Sequence, residues 1–381
     1  MTNNLGEKAR KLHKENRGKI SIQLKTPLET KEDLSLVYTP GVADVSRHLV
    51  DHPEETNEYT WRGRCVAVIS DGSAVLGLGN IGPNGAYPVM EGKCALFKQF
   101  AGLDAVPILL NTQNPDEIIE TVIHIAPSFG AINLEDISAP RCFYIEEELK
   151  KKLKMPIIHD DQWGTAVVVY SGLLNACKVT GRNLAQTKVV VNGVGAAGSA
   201  IIKILHHNKV TNIIACDSNG IIHAGREGNS KHKSFIASIT NPEETTGRLA
   251  DAVQNADILI GVSKADLFTE TIIRSMNADP IVFALANPNP EIMPDDAKAA
   301  GAAIIATGRS DFPNQVNNAL GFPGMFKGLL DAQVTNVTLD MLSHAAVGLS
   351  EVIAKPDHEH IIPSVFDPAV VPSIASNIIK S

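Results

Sequence analysis

Short apolar runs alternate with longer segments of helical spacing along the first 160 residues. The apolar runs at 65–72, 106–110, 130–134 and 155–158 predict buried β-strands. Between two of them, the apolar positions 118, 119, 122, 123 and 126 fall on one face of a helix. Strands that alternate with helices in this way predict a parallel sheet.

A second series of the same kind begins after a long apolar helix, predicted over Thr165–Thr180. It places strands at 188–192, 213–216, 256–263, 280–290 and 302–308, and the last 50 residues are expected to be helical and then extended. The fold class expected is α/β. A Rossmann-type, doubly wound parallel sheet domain at 159–381 follows a second α/β domain at 1–158.

Composition and charge narrow the class of protein. A chain of 381 residues with 44% hydrophobic and 20% charged residues is expected to form two globular domains. A net charge of −8 without a long basic run argues against a nucleic-acid partner. Five cysteines without a CxxC pair indicate reduced thiols, and the sequence carries no signal peptide or membrane span. A cytoplasmic location is therefore expected.

Acidic residues follow two neighbouring strands of the first series. Glu135-Asp136 come directly after the third strand, and His159-Asp160-Asp161 after the fourth. Because open α/β sheets bind ligands at the carboxyl ends of their strands, the four acids are expected to lie together. Such a cluster repels itself without a cation, and Mg²⁺ and Mn²⁺ prefer oxygen ligands. The alternative is that the aspartates cap the helix that begins near Gly164.

The second series opens with a dinucleotide-binding motif. The strand at 188–192 runs into Gly193-Val194-Gly195-Ala196-Ala197-Gly198, a helix follows, and the next strand ends before Asp217. Glycines there let the backbone approach a pyrophosphate at a helix N-terminus, and Asp217 can accept a hydrogen bond from the adenosine ribose. Because Ser218-Asn219 follow without an adjacent arginine, the sequence favours NAD over NADP.

An earlier GxGxxG, at Gly77–Gly82, lacks this context because Pro83 follows it, and we interpret it as a glycine-rich loop that lines a site. Lys93 falls in the second turn of a helix predicted to begin near Pro88. It is either a snorkelling side chain or a base with a depressed pKa. Tyr38 stands at a helix-to-loop junction, where it either points into a cleft or packs as an ordinary tyrosine.

Asparagines mark the ends of the later strands. Asn287 closes one strand, and Asn314, Asn317 and Asn318 lie in a loop rich in proline and glycine after the last one. Asparagines in loops are usually turn formers. These face the cleft in which the dinucleotide is expected to bind.

Seven segments together resemble the malic enzymes, specifically the short bacterial type. They are YTPGVA, MEGKCALFKQFAG, NLEDI, HDDQWGTA, GVGAAG, ANPNP and PNQVNNALGFPG, in the same order and over nearly the whole chain. The resemblance implies oxidative decarboxylation of (S)-malate to pyruvate and CO₂, with NAD or NADP and Mg²⁺ or Mn²⁺. It also implies a homodimer, or a multiple of one.

The resemblance assigns roles to individual residues. It implies that Lys93 removes the proton of the malate hydroxyl while hydride leaves for the nicotinamide, that Tyr38 protonates carbon 3, and that Asp160 orients Lys93. The implied metal ligands are Glu135, Asp136 and Asp161. The implied substrate contacts are Lys93, Asn287 and one or both of Asn317 and Asn318. The implied coenzyme contacts are Gly193, Gly195, Ala196, Ala197, Gly198, Asp217 and Asn287.

One departure from the family is visible, since many short members carry histidine where this chain has Trp163. We expect activity to survive, with the loss of a partner for His159 or for the substrate pocket. Decarboxylation of oxaloacetate is a further expected activity. The alternatives are another metal-dependent 2-hydroxy acid dehydrogenase, or a non-catalytic regulatory protein that binds NAD.

Overall fold

A computed structural model of the chain describes residues 2–75 and 77–380. An N-terminal helical segment comes first, and no residue of its second and third helices is buried. Its helices are α1 (Thr2–Asn16), α2 (Lys31–Val37), α3 (Val42–Asp51) and α4 (Thr56–Tyr59).

The first sheet has four parallel strands in the order β2-β1-β3-β4. Its elements are β1 (Cys65–Ser70), α5 (Gly82–Leu96), β2 (Asp104–Leu109), α6 (Pro115–Ile125), β3 (Ala131–Leu134), α7 (Arg141–Lys152) and β4 (Ile157–His159). Every residue of β1, β3 and β4 is buried, as is typical of a parallel sheet covered on both faces.

Helix α8 (Asp160–Thr180) follows directly from β4, and it packs against α9 and α15 of the second half of the chain. Fifteen of its residues are buried, which explains why its sequence is apolar on almost every face. Gly181 ends it in the left-handed conformation.

The second sheet has the strand order β10-β9-β8-β5-β6-β7 and is parallel except for β7. The order reverses between β5 and β8, which is the switch point where doubly wound sheets bind ligands. Its elements are β5 (Val189–Asn192), α9 (Ala196–His207), β6 (Ile213–Asp217), β7 (Gly220–Ile221), α10 (Lys231–Ile239), α11 (Leu249–Ala252), β8 (Ile258–Gly261), α12 (Glu270–Arg274), β9 (Ile281–Ala284), α13 (Pro294–Ala299) and β10 (Ile304–Thr307).

Three helices complete the chain: α14 (Phe322–Asp331), α15 (Leu339–Glu351) and α16 (Val370–Ile379). Helix α16 packs against both α14 and α15. None of the helices in the described part of the chain combines the length and the apolar character that crossing a bilayer requires.

The α/β class with a Rossmann-type sheet is confirmed. Three predicted local elements were wrong. Helix α5 begins at Gly82 and contains Pro88, helix α8 begins at Asp160 and not near Gly164, and the chain ends in a helix where an extended segment was expected.

Candidate active site

A cleft of about 630 Å³ opens where the carboxyl ends of both sheets meet. It is lined from the first sheet by Gly77 and Ser138, and from the second by the loops after β8, β9 and β10. Among the residues that line the cleft, the sequence singled out Gly77, Asp161, Ala196, Ala197, Asn287, Asn317 and Asn318. The glycine-rich loop after β1 therefore lines a site, as its sequence predicted.

Three carboxylates gather at one side of this cleft. Glu135 and Asp136 follow β3, and Asp161 lies in the first turn of α8. One oxygen of each lies within 4.8 Å of the others. Glu135 and Asp136 are buried, only 3% and 4% exposed. The acids after the two strands are thus brought together as predicted.

The charges of this cluster raise its pKa values. Burial, together with the charges of Asp161 and Glu135, raises the pKa of Asp136 to about 9. Burial and the Asp160 charge raise the pKa of Asp161 to about 6, and burial also raises the pKa of Glu135. Carboxylates that suppress one another's ionisation are a strong site for a cation, which removes the repulsion.

An unpaired atom supports the same conclusion. Within residues 2–75 and 77–380, the Oδ2 atom of Asp136 is buried and has no hydrogen-bond partner. Such atoms are costly unless a ligand or an ion satisfies them. Asp136 also has a positive φ of 53°, which aims its side chain from a strained turn. The residues present therefore fit a hard divalent cation held by Glu135, Asp136 and Asp161.

The helix-cap alternative for the aspartates is wrong. The N-cap of α8 is His159, and its side chain makes no capping hydrogen bond. Asp161 Oδ2 instead accepts from the backbone N–H of Asp136, at 2.8 Å, which joins α8 to the end of β3. Both Asp160 and Asp161 lie in the first helical turn, where the helix dipole favours negative charge.

Lys93 reaches the same cluster from α5. Its Nζ lies 2.7 Å from Asp160 Oδ2, 3.0 Å from Glu135 Oε1 and 4.3 Å from the centre of the Phe322 ring. Because its side chain is only 7% exposed, the snorkelling interpretation was wrong. Burial disfavours the ammonium ion, but the carboxylates of Asp160 and Glu135 outweigh this and raise the pKa of Lys93. The depressed pKa was therefore also wrong for the metal-free site.

Trp163 is not among the described residues that line the cleft. Its indole N–H donates to Glu146 Oε1 at 2.9 Å, and the Gln162 amide donates to Glu146 Oε2 at the same distance. Glu146 is a buried acid on α7, and Lys150 also donates to it. Trp163 therefore ties the first turns of α8, which carry Asp160 and Asp161, to α7.

The dinucleotide motif has the geometry that its sequence predicts. Gly193 has a φ of 114°, and a Cβ there would meet the Val262 carbonyl oxygen at 2.7 Å. A Cβ on Gly198 would overlap the Gly193 carbonyl oxygen, so helix and strand pack closely. Gly195 faces open space and precedes α9, which leaves room for a pyrophosphate at the helix N-terminus.

Asp217 is paired with two cations that the sequence analysis missed. Arg226 donates to both of its carboxylate oxygens, at 3.0 and 2.5 Å, and Lys233 Nζ donates to Oδ2 at 2.7 Å. Burial opposes ionisation, but these donors outweigh it and lower the pKa of Asp217 to about 2. Arg226 is not adjacent to Asp217 in sequence, but the chain folds back after β7 and brings it to this carboxylate from nine positions further on.

The asparagines divide into structural and cleft residues. Asn314 is structural, since its amide donates to the carbonyls of Ile305 and His358. Asn317 lines the cleft, but its Oδ1 accepts from the Ala319 N–H as the cap of a short 3₁₀ turn. Asn318 also lines the cleft, and within the described residues its side chain has no hydrogen-bond partner.

The structure does not bring Tyr38 to the cleft. Tyr38 ends α2, its side chain is 67% exposed, and it is absent from the described lining of the cleft. A second group, His52, Glu54 and Glu55, has ligand atoms close enough for a cation. It lies on the same N-terminal segment, where His52 and Glu54 are exposed and Glu55 is half-buried.

Two family models match the chain. The malic enzyme N-terminal domain matches residues 17–115 and 111–150, and the malic enzyme NAD-binding domain matches residues 163–381. The chain is 50% identical to the bifunctional malic/malolactic enzyme of Bacillus subtilis, over 99% of this chain and 93% of that protein. It is 46% identical to the NADP-dependent malic enzyme of Halomonas elongata, over 89% of this chain and 80% of that protein.

Solved structures agree with these relatives. The crystal structure of the NAD-dependent malic enzyme of Thermotoga maritima matches with a TM-score of 0.94 and 48% identity, over 97% of this chain and 98% of that one.

Proposed function

The chain belongs to the malic enzyme family, and on that premise we propose how the residues of its cleft carry out the reaction. It is an NAD(P)-dependent oxidoreductase that converts malate to pyruvate and CO₂. One observation carries the proposal: Asp161 of the carboxylate cluster and Ala196-Ala197 of the dinucleotide loop line one cleft, and Lys93 pairs with Glu135 of that cluster and with Asp160. A protein that only sensed a dinucleotide would have no use for this cluster.

The metal ligands in this proposal are Glu135, Asp136 and Asp161, supported by their convergence and by the unpaired Asp136 oxygen. A bound Mg²⁺ or Mn²⁺ supplies Lewis-acid polarisation of the substrate oxygens and offsets the negative charge of the cluster. The nicotinamide ring supplies the hydride acceptor.

Lys93 is the base that takes the proton of the malate hydroxyl, and Asp160 makes this role feasible. A base must be neutral when the substrate binds, yet the isolated pair favours the ammonium form of Lys93. A cation held by Glu135, Asp136 and Asp161 would offset the carboxylate charge that favours the ammonium ion. Asp160 Oδ2, 2.7 Å from Nζ, holds the amine in position.

Asn318 and Asn287 orient the substrate in this proposal. Both line the cleft, and the Asn318 amide is free to donate because it has no partner within the described residues. Asn317 instead holds the turn that presents Asn318. Asn287 lies in the loop after β9 and lines the cleft together with Asp161 and with Ser263 of the loop after β8, so it is placed to contact both malate and the coenzyme.

Tyr38 protonates carbon 3 in a homodimer, as the contribution of the second subunit. Two observations support this. Tyr38 is 67% exposed and lies off the described cleft of its own chain. The surrounding segment also exposes large apolar side chains: Ile22, Leu24, Leu36 and Val50 are 69% to 85% exposed. Monomers rarely leave such surface uncovered, and a second copy can cover it with the same segment by twofold symmetry.

Mixed dimers test this arrangement. Tyr38→Phe and Lys93→Ala subunits, each inactive alone, are expected to regain about one quarter of wild-type activity when co-expressed, because only one site in each mixed dimer is complete. Two separately tagged subunits, purified in tandem, give the mixed dimer directly. No recovery of activity in verified mixed dimers would place Tyr38 in the site of its own chain. A matched control, Tyr59→Phe, alters another exposed tyrosine of the segment and should leave activity unchanged.

The adenosine end of the site is built to accept both coenzymes. Asp217 can bind the ribose hydroxyls of NAD⁺, while Arg226 and Lys233 give the trio a net charge of +1 that suits the 2′-phosphate of NADP⁺. The NAD preference expected from Ser218-Asn219 is therefore weakened.

Lys233→Ala is expected to lower kcat/KM for NADP⁺ about tenfold more than for NAD⁺, since only NADP⁺ has a phosphate for this ammonium group. Initial rates with each coenzyme at saturating malate and Mn²⁺ measure the ratio. Lys231→Ala removes the same charge from an exposed position of α10 and is the control. An equal change for both coenzymes would exclude Lys233 from phosphate recognition.

Two further features belong to the proposal. We place the domain boundary at 158/159, supported by the packing of α8 against α9 and α15 of the second domain. We place the enzyme in the cytoplasm, where its five buried free thiols would stay reduced.

A panel of substrates tests the function as a whole. We expect reduction of NAD⁺ and of NADP⁺ with (S)-malate in the presence of Mg²⁺ or Mn²⁺, and none with lactate or tartrate. Malate oxidation that releases no CO₂ would indicate a different 2-hydroxy acid dehydrogenase. Measured NAD⁺ binding without any turnover would indicate a regulatory protein.

A further inference from the structure

Glu291 is a fully buried acid whose charge no cation balances. Its exposed fraction is 0%, and no Lys, Arg or His in the described part of the chain lies within ion-pair distance of it. Its carboxylate binds two backbone donors instead. Oε1 accepts from the N–H of Ser263 at 3.0 Å, and Oε2 accepts from the N–H of Ala286 at 2.9 Å. Burying a carboxylate in this way is costly and calls for a reason.

These two donors lie just beyond neighbouring strands. β8 ends at Gly261 and β9 at Ala284, so Glu291 joins the loops at the carboxyl ends of both strands. The contact requires the glycine at the end of β8, because a Cβ on Gly261 would lie 2.5 Å from the carboxylate carbon of Glu291. The carboxylate thus acts as a bracket between the two loops.

The bracketed loops supply much of the wall of the cleft on the second domain. Residues 262, 263, 285, 286 and 287 all line it. Asp217 and the loop at 193–198 place the adenosine and pyrophosphate over β5 and β6. A dinucleotide crosses the switch point between β5 and β8, so its nicotinamide half lies over the loops after β8 and β9.

We infer that Glu291 is a positioning residue for the nicotinamide half of the coenzyme, acting through the backbone of Ser263 and Ala286 without touching the coenzyme itself. The inference rests on the proposed function, which supplies the coenzyme and its orientation. With both N–H groups held, the loops keep one shape and the nicotinamide is bound in one pose. The adenosine half depends on other strands and does not need the bracket.

Glu291→Gln tests the inference because it replaces one carboxylate oxygen with an amide nitrogen. That nitrogen faces a backbone N–H and cannot accept a hydrogen bond from it. Calorimetric titration of the full-length protein with NAD⁺ and with ADP-ribose, which lacks the nicotinamide, separates the two halves. The Kd for NAD⁺ is expected to rise about tenfold, as an unpaired buried donor implies, while the Kd for ADP-ribose stays within about twofold. In turnover, kcat with malate should fall while the KM for malate changes little.

Two more variants make the result decisive. Gly261→Ala displaces the same carboxylate from the other side. It should also raise the Kd for NAD⁺ much more than the Kd for ADP-ribose. Asp257→Asn is the matched control. It removes an acid that accepts from the Lys188 backbone N–H at 2.8 Å, but at the amino ends of the strands of the same sheet. It should lower Tm but change the Kd values for NAD⁺ and ADP-ribose by the same factor.

Equal weakening of NAD⁺ and ADP-ribose in both bracket variants would overturn the inference, and so would unchanged binding of both. Either result leaves the proposed function standing if the wild type oxidises malate. Failure of the wild type to do so would instead remove the proposed function.

Discussion

Lys93→Ala is expected to lower kcat for malate oxidation about 10³-fold, within the range that loss of a general base costs. The change removes the amine that lies 2.7 Å from Asp160 and 3.0 Å from Glu135. Coenzyme binding, which depends on the second sheet, should be retained within about twofold. Stopped assays of reduced coenzyme at saturating malate and Mn²⁺ measure kcat, and calorimetry with NAD⁺ measures binding.

Chemical rescue separates the base from a structural lysine. A small primary amine such as methylamine can enter the cavity left by the side chain and should restore part of the activity of Lys93→Ala. Lys98→Ala is the matched control, because Lys98 is an exposed lysine of the same region that pairs with Asp104 at 2.7 Å. Near-normal turnover by Lys93→Ala without added amine would remove Lys93 as the base.

Asp136→Asn is expected to weaken Mn²⁺ binding about 100-fold and to abolish turnover at micromolar Mn²⁺, because it removes one of three charged ligands. The same change should stabilise the metal-free protein at neutral pH. Because the pKa of Asp136 is about 9 in the folded protein and ordinarily 3.8, folding at neutral pH has to protonate this carboxylate, a cost that the asparagine amide does not carry. Calorimetry of EDTA-treated protein with Mn²⁺, and thermal unfolding without metal, measure the two opposite effects.

The control for this experiment is Glu54→Gln, which removes one charge from the exposed group His52, Glu54 and Glu55. It should alter neither Mn²⁺ affinity nor turnover. Unchanged Mn²⁺ binding by Asp136→Asn, or lost Mn²⁺ activation in Glu54→Gln, would show that the catalytic cation lies elsewhere.

The pKa shifts of the cluster set the pH dependence of stability. Asp136 and Asp161 have pKa values of about 9 and about 6 in the folded protein, both above the ordinary value of 3.8. Because both pKa values are raised, the contribution of these two groups to the stability of the fold is fully present below about pH 4. It is lost as the pH rises through 6 and then 9. Added Mn²⁺ should therefore raise Tm more at about pH 8 than at about pH 5, since protons compete with the cation at low pH.

Much of the site could be predicted because its acidic residues lie at the carboxyl ends of strands. Glu135-Asp136 and Asp160-Asp161 follow buried strands of one parallel sheet, so their convergence follows from topology. The dinucleotide loop could be predicted equally well, because strand, glycines and helix follow one another within one short stretch of sequence, and Gly198 packs against the nearby Gly193 carbonyl.

The remaining features depend on contacts between distant residues. Burial lowers the pKa of Lys93, but the distant carboxylates of Asp160 and Glu135 together outweigh it and raise that pKa. Arg226 reaches Asp217 through a loop, and the hydrophobic pattern of the sequence does not predict the path of that loop. Trp163 was expected to remove a partner of His159 or of the substrate pocket, yet its indole N–H binds Glu146 on α7. In the proposed dimer, the place of Tyr38 depends on a second subunit, which the pattern of one chain does not describe.

The most direct test of the account is the product balance of malate turnover by EDTA-treated protein, with and without added Mn²⁺. We expect no reaction without the cation. With Mn²⁺, reduced coenzyme, pyruvate and CO₂ should form in equal amounts. Turnover that persists in the absence of any divalent cation, or reduced coenzyme formed with oxaloacetate in place of pyruvate and CO₂, would contradict it.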